Sequence, residues 1–312
     1  MNLTPDPETT TQFTDSYSPS RTRRILNSFG VDPAVNFLSR RTFLLGSGIV
    51  FASYLLYEVN ALKVVHYTVS VRNLPPSFRN FTILHLSDLH QKRFGTCQSR
   101  LLATINRHRY DIIALTGDLI NRLRPQGEPA LELVAGLRPK PMFFVNGNNE
   151  WSATRRYGFR LTDPLAAAGV TVLNNEAVPL QQNDRHIWIA GVDDSIHGKA
   201  NLPLTLSKTA DGAPIILLSH SSNPFTKSTK AGVDLLLTGH THGGQIRIPF
   251  LGALWTPEAG LFPRWDYGLY REGDTTMIVN GGLGESIIPI RFNIPPEIVL
   301  VTLTPLKGNR AA

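Results

Sequence analysis

The most constraining feature of this sequence is a local pattern that occurs five times: an apolar run ends, and polar side chains able to bind metal follow. The five runs cover residues 81–87, 112–116, 142–146, 215–219 and 235–238. Continuous apolar runs with helical stretches between them are typical of strands that are buried on both faces. In open α/β sheets, functional sites collect beyond the carboxyl ends of such strands. The sequence therefore predicts that five strand ends meet in one crevice.

The residues at these strand ends form a donor set without sulfur: Asp88, His90, Asp118, Asn148, His220, His240 and His242. Carboxylate and imidazole donors suit Mn, Fe, Zn or Ni better than Ca or Mg alone. Seven ligands are too many for one ion and match two ions that share a carboxylate. Adjacent glycines, including Gly117, Gly147 and Gly239, let the backbone turn tightly beside the ions. Each motif alone occurs by chance in many proteins, so it is the ordered set of five that indicates a metal centre.

The motifs Asp88-x-His90, Gly117-Asp118, Gly147-Asn148, His220 and Gly239-His240-Thr241-His242 resemble those of the calcineurin-like metallophosphoesterases in order and spacing. The resemblance covers about residues 75–305, and the segment 281–298 looks like the bacterial YkuE/YaeI branch of the family. It implies an α/β fold, a four-layer α/β/β/α sandwich of two mixed sheets flanked by helices. It also implies that Asp88, His90 and His242 hold one ion, that Asn148, His220 and His240 hold the other, and that Asp118 bridges them.

One position departs from the family pattern. The family usually has a histidine after the Asn of the third motif, where this chain has Asn149. By the resemblance, a residue here assists catalysis, and we expect Asn149 and Asp118 to be the catalytic residues. An amide can donate a hydrogen bond but cannot supply a proton at neutral pH. The change therefore affects protonation of the leaving group more than the metal site, and a substrate with a good leaving group would suffer least.

The expected function is hydrolysis of a phosphodiester or pyrophosphate bond at the cell envelope. Two divalent ions would clamp the phosphate and activate the attacking water. Two alternatives remain open. One is a pyrophosphatase acting on a lipid-linked UDP-sugar, which would require a cytoplasmic catalytic domain. The other is a catalytically silent metal-binding protein of the same fold, an interpretation that only Asn149 supports.

The N-terminal region has the pattern of an export signal. Residues 1–38 read as a disordered polar tail, and residues 39–62 contain Ser-Arg-Arg-Thr-Phe-Leu followed by an uncharged run. This string resembles a twin-arginine signal, which the Tat translocon recognises. The segment is predicted to be a signal or a membrane anchor, and its flanking positive charge places the body outside the cytoplasm. Residues 63–306 are predicted to form the metallophosphoesterase domain, and residues 307–312 a tail.

The net charge and the remaining polar residues narrow the predicted function only a little. The net charge is +7, but basic residues form no run with interleaved aromatic residues, so we expect an anionic substrate or a membrane surface as partner and no nucleic acid. The lone cysteine, Cys97, excludes an intrachain disulfide and a zinc site built from cysteines. His197 and Arg291 are weak candidates for substrate contacts.

Overall fold

The computed structural model describes residues 39–257, 260–286 and 288–306. The predicted tails, 1–38 and 307–312, lie outside the described residues. The described helices are α1 (Arg40–Asn60), α2 (Ser99–Ile105), α3 (Glu128–Gly136), α4 (Asn148–Tyr157), α5 (Thr162–Ala167), α6 (Leu202–Thr205) and α7 (Phe225–Lys230). The boundary between two compact units falls inside α1, between Phe51 and Ala52, and the second unit contains all of the sheets.

The described strands are β1 (Lys63–Val71), β2 (Thr82–Leu86), β3 (Ile112–Leu115), β4 (Met142–Phe144), β5 (Thr171–Val172), β6 (Glu176–Gln182), β7 (Arg185–Gly191), β8 (Ile215–Leu218), β9 (Leu235–Thr238), β10 (Arg247–Ile248), β11 (Gly252–Ala253), β12 (Trp255–Thr256), β13 (Gly260–Leu261), β14 (Gly268–Glu272), β15 (Thr275–Val279) and β16 (Glu297–Pro305). Two six-stranded sheets have the orders β1-β16-β2-β3-β4-β5 and β14-β15-β9-β8-β7-β6.

Both large sheets are mixed. In the first, β2 to β5 are parallel, β1 is parallel to β16, and β16 is antiparallel to β2. In the second, β7, β8, β9 and β15 are parallel, while β6 and β14 pair antiparallel at the edges. The short pairs β10–β11 and β12–β13 form two small hairpins outside these sheets. The predicted class, with two mixed sheets, is confirmed.

Alternating apolar side chains explain why the sheets pack in layers. In β3, Ile112 and Ala114 belong to the core between the sheets, whereas Ile113 and Leu115 face the core beneath α2 to α5. In the second sheet, Ile216 and Leu218 face the central core, whereas Ile215 and Leu217 pack with Phe225 of α7. Because both faces of each central strand are apolar, each strand is buried on both sides. The result is the expected order of helix, sheet, sheet and helix layers.

Candidate metal centre

The seven predicted ligands follow five neighbouring strand ends. Asp88 and His90 follow β2, Asp118 follows β3, and Asn148 begins α4 after β4. His220 follows β8, while His240 and His242 follow β9 of the other sheet. The structure brings six of these side chains together in two groups that could each hold a metal ion, one with Asp88, His90 and His242, the other with Asp118, His220 and His240.

The first group converges through three atoms. The Nε2 atoms of His90 and His242 lie 3.0 Å apart. Oδ1 of Asp88 lies 3.4 Å from Nε2 of His242 and 3.8 Å from Nε2 of His90. All three side chains are buried. These are separations expected of atoms that bind the same ion at about 2 Å.

The second group is built around Nε2 of His220. This nitrogen lies 3.1 Å from Nδ1 of His240, 3.2 Å from Oδ1 of Asn148 and 3.4 Å from Oδ1 of Asp118. The other carboxylate oxygen of Asp118, Oδ2, lies 3.8 Å from Nε2 of His90 in the first group. The Asp118 carboxylate therefore lies between the two groups.

The orientation of the rings indicates where the lone pairs of the neutral, metal-binding forms lie. Nδ1 of His220 lies 2.8 Å from the carbonyl oxygen of Thr116, and Nδ1 of His242 lies 3.2 Å from that of Gly284. Since a carbonyl can only accept, the N–H of each neutral ring lies on Nδ1, and a lone pair at Nε2 then faces the other members of its group. Oδ1 of Asp88 accepts no hydrogen bond from any described residue, although it is buried. A divalent cation would satisfy these acceptors, and the residues therefore fit a metal ion.

The pKa values differ between the histidines for a physical reason. Burial lowers the pKa of His242 to about 3 and that of His240 to about 4, so both rings are neutral at pH 7. Burial alone would also lower the pKa of His220, but the Asp118 carboxylate raises it to about 10. The pKa of His90 is likewise raised, because Asp88 and Asp118 outweigh the effect of burial. Without metal, the His220 ring is therefore protonated at pH 7, and its Nε2 lies 3.4 Å from Oδ1 of Asp118.

The backbone at the ligands adopts a conformation that side chains disfavour. Positive φ angles of 48° to 70° occur at five of the seven positions, namely Asp88, His90, Asp118, His240 and His242. This left-handed conformation costs roughly 1–2 kcal/mol per residue. Such strain persists only where the surrounding structure enforces it, and it concentrates at functional sites. Gly147 also has a steric role, because a Cβ there would lie 2.2 Å from Oδ1 of Asp118.

Glu150 fixes the loops that carry these ligands, a role the sequence did not reveal. Its buried carboxylate accepts main-chain N–H bonds from Asp118, Leu119, Ile120 and Gly147, at 2.9 to 3.3 Å. Burial and the negative charge of Asp118 raise the pKa of the carboxyl to about 7, whereas the N–H donors favour its ionised form. The signal in the sequence was an acidic residue in the first turn of α4, directly after the third motif.

Asn149 is buried and contacts the predicted ligand His90 at Nδ1, the ring nitrogen that does not face the other ligands. Its amide nitrogen donates to the carbonyl oxygen of Ile120 at 2.9 Å and lies 3.1 Å from Nδ1 of His90. Its main-chain N–H donates to Oδ1 of Asp118 at 2.8 Å. Oδ1 of Asn121 lies 3.1 Å from the same Nδ1 and, unlike the Asn149 amide nitrogen, can accept its ring N–H. Asn149 thus contacts both an imidazole and a carboxylate of the centre, and Asn121 is a further contact that sequence reasoning missed.

The two weak candidates for substrate contacts lie elsewhere. The guanidinium of Arg291 is fully buried and donates to the carbonyl oxygens of Gly281, Gly282, Gly284 and Ile294. It therefore ties loops together, and burial places it out of reach of a phosphate. His197 is partly exposed, and its Nδ1 lies 2.5 Å from Oδ2 of Asp194. Neither residue lines the cavity over the metal ligands.

A cavity of about 710 Å³ opens over the two groups. Five of the predicted ligands line it, namely His90, Asp118, Asn148, His240 and His242. The other described lining residues are Gln91, Asn121, Arg122, Leu123, Arg124, Gln126, Asn149, Pro257 and Ser286. Arg122 and Arg124 are exposed, so the rim carries positive charge suited to an anionic ligand.

Comparison with known proteins gives a consistent assignment. Residues 81–244 match the family model described as calcineurin-like phosphoesterase. The metallophosphoesterase YkuE of Bacillus subtilis is 34% identical over 265 residues, which are 83% of this chain and 90% of that protein. The phosphodiesterase YaeI of Escherichia coli is 29% identical, over 72% of this chain and 82% of its own. A zebrafish (Danio rerio) transmembrane protein with a metallophosphoesterase domain is 28% identical, over 77% of this chain and 57% of its own.

The matched segment contains every one of the seven ligand positions and ends just beyond His242. The strand-end motifs, the two layered sheets and the paired ligand groups thus agree with the sequence match. This chain belongs to the calcineurin-like phosphoesterase family.

Proposed function

We propose that this protein hydrolyses phosphodiester bonds at a centre of two divalent ions. The observation that carries this proposal is the Asp118 carboxylate, whose two oxygens face His220 of one ligand group and His90 of the other. A shared carboxylate is the expected feature of two ions that are close enough to act on one phosphate. The identity of the ions among Mn, Fe, Zn and Ni is open, because the donor set suits all four.

In this proposal the side chains of the cavity have different roles in binding the ions and the substrate. Divalent ions held there would supply positive charge to the phosphate oxygens and lower the pKa of an attacking water. Asp118 would contribute one carboxylate oxygen to each ligand group, and Arg122 and Arg124 would attract the anionic substrate to the cavity. The water oxygen forms a new bond to phosphorus as the bond to the leaving oxygen breaks. The water releases its proton to solvent.

The leaving oxygen departs with the bonding electrons and needs either a proton or low basicity. Apart from the predicted metal ligands, the described lining residues are amides, arginines, a serine and apolar residues, none of which gives up a proton at pH 7. The cavity therefore favours leaving groups that are stable as anions. A diester with such a leaving group fits, and the name of the relative YaeI supports diesters as the substrate class.

A second candidate substrate is a lipid-linked pyrophosphate. Its leaving group is a phosphate, which departs as an anion without a proton donor, and this property matches the lining of the cavity. The two candidates differ in location, since a lipid-linked UDP-sugar is expected on the cytoplasmic side. Two reporters fused to the C-terminus distinguish them, one active only in the cytoplasm and one active only outside it. Activity of the cytoplasmic reporter would favour the lipid-linked pyrophosphate, and activity of the external reporter would favour the diester.

Attachment to the membrane through α1 is part of the proposal. The helix has 21 residues, is apolar over most of its length, and has mostly exposed side chains. Its length and composition would allow it to cross a membrane. A cleaved signal sequence can have the same length and composition. Together with Arg40 and Arg41 before the apolar run, the helix supports export by the Tat translocon and a catalytic domain outside the cytoplasm.

The test compares bis-p-nitrophenyl phosphate with p-nitrophenyl phosphate as substrates of the full-length protein, with added Mn²⁺ and with EDTA. We expect metal-dependent cleavage, faster for the diester. Asp118→Asn should abolish it and reduce metal content, whereas Asp184→Asn, in an exposed turn, should change neither. Full activity of Asp118→Asn would refute the two-ion centre. Bound metal without turnover of either ester would favour the silent metal-binding protein or the lipid pyrophosphate.

A further inference from the structure

A second cavity, of about 340 Å³, adjoins the cavity over the metal ligands. Pro257 and Ser286 line both cavities, and Thr241, at the edge of the second, stands in the chain between the ligands His240 and His242. An occupant of the second cavity is therefore within reach of a phosphate at the metal centre. The contents of this cavity bear directly on the substrate.

The second cavity is apolar. Its walls are Ile246, Leu254, Trp255, Pro257, Ile288 and Ile290. Two of the polar side chains that line it are already hydrogen-bonded to the main chain: the Thr241 hydroxyl donates to the carbonyl oxygen of Asp266, and the Gln245 amide donates to those of Ile288 and Ile290. These bonds also hold the walls in place. Arg122 and Arg124, by contrast, line the cavity over the metal ligands and do not line the second cavity.

This division separates a charged region from an apolar one, and the geometry points to an amphiphilic substrate. We propose that the second cavity binds an aliphatic chain of a phosphodiester whose phosphate lies at the metal centre. The inference rests on the proposed phosphodiesterase activity and names its substrate class. A peptide segment fits less well, because its main-chain N–H and C=O groups would be buried with few partners.

The surface beyond the cavity supports this assignment. Leu261 of β13 is directly opposite Trp255 of β12, and the N–H of Phe262 donates to the carbonyl oxygen of Leu254. Leu261 and Phe262 are 72% and 63% exposed, so exposed apolar surface lies beside the hairpin strand that carries Trp255. Exposed apolar patches mark sites for lipid or other apolar ligands. The membrane-length composition of α1 is an independent reason to expect a lipid environment.

The decisive experiment varies only the aliphatic chain. The full-length protein, kept in an amphipathic polymer so that no detergent chain competes, is given methyl, butyl and octyl p-nitrophenyl phosphate with Mn²⁺. All three diesters have the same leaving group. Each methylene that becomes buried contributes about threefold to fourfold. We therefore expect kcat/KM to rise by about tenfold or more from methyl to butyl, and further to octyl.

The variant Ile288→Asn places an amide in the wall at a residue that is half exposed, so folding should not depend on it. It should reduce the octyl-to-methyl ratio of kcat/KM by about tenfold. The matched control is Leu204→Asn, which changes an apolar side chain of similar exposure on α6, outside both cavities. Its ratio should equal that of the original protein. An equal loss in both variants would overturn the assignment of the chain to this cavity.

A binding measurement separates this inference from the proposed function. Calorimetry compares methyl octyl phosphate with dimethyl phosphate, neither of which has a nitrophenyl group. Tighter binding of the octyl compound, lost in Ile288→Asn, supports the inference even where no ester is turned over, a result that would refute only the proposed activity. Hydrolysis and binding that are both independent of chain length would overturn the inference.

Discussion

Oδ1 of Asn121 lies 3.1 Å from Nδ1 of His90, and the Asn121 amide donates to the carbonyl oxygen of His90. Asn121 therefore links the loop after β3 to the ring and the main chain of a predicted ligand after β2. Partners of this kind orient a ligand, and their removal typically reduces metal affinity 10- to 100-fold. We expect Asn121→Ala to weaken binding of Mn²⁺ by about tenfold. Calorimetric titration of the metal-free protein measures this, with Gln181→Ala at an exposed position of β6 as the control. Unchanged affinity would show that Asn121 does not position His90.

Position 149, where the family usually has a histidine, should govern the dependence on the leaving group. An imidazole in place of Asn149 would bring a proton donor into the cavity that the described lining lacks. We expect Asn149→His to increase kcat by up to about 10²-fold for diesters whose leaving alcohol is basic, and little for p-nitrophenyl esters. A plot of log kcat against the pKa of the leaving group should therefore be less steep for the variant. Identical slopes would mean that protonation does not limit the reaction.

Loading the centre with metal should release protons. The carboxylates raise the pKa of His220 to about 10, so this ring is protonated at pH 7 in the metal-free protein, and they also raise the pKa of His90. Ligands must be deprotonated to bind, and about one proton per chain or more should therefore leave. Metal affinity should rise with pH through the neutral range for the same reason. Calorimetry in two buffers of different ionisation enthalpy counts the protons, and a count of zero would contradict the assigned states.

Arg291 should matter for stability and not for substrate affinity. Its buried guanidinium donates to four main-chain carbonyls, which Arg291→Met would leave without these donors. We expect a loss of about 3 kcal/mol or more in the free energy of unfolding. Thermal denaturation measures the loss, and Arg271→Met on exposed β14 should cause little change. A raised KM with unchanged stability would instead restore the phosphate contact first expected of this residue.

The sequence predicted the class of fold and the residues that meet, because both follow from short-range patterns. Apolar runs bounded by Asp, Asn and His identified β2, β3, β4, β8 and β9, and family spacing supplied the grouping. The interactions of Glu150 and Asn121 could not be predicted in this way. Both depend on where a carboxylate or amide lies relative to main-chain groups and rings of other loops, and that relation exists only in three dimensions.

Burial was the other property that the sequence did not reveal. Arg291 stands in a motif rich in glycine and proline, a context typical of exposed loops, and a phosphate contact was a natural interpretation. Four main-chain carbonyl groups accept hydrogen bonds from its guanidinium and provide a polar environment for its charge. The position of these carbonyl groups cannot be predicted from a sequence pattern. The apolar cavity was missed for a similar reason, since Ile246, Leu254 and Ile290 come from separate segments of the chain.

The ligands after β2, β3 and β4 belong to one sheet, and those after β8 and β9 belong to the other. Neither half of the chain can therefore assemble a complete ligand set alone, and ion capture has to wait until the two sheets have packed. For a chain that crosses the membrane already folded, as the proposed twin-arginine route requires, this order has a cellular meaning. The ions would be chosen from the pool available in the cytoplasm, so the identity of the bound metal would record where folding was completed rather than where the enzyme works.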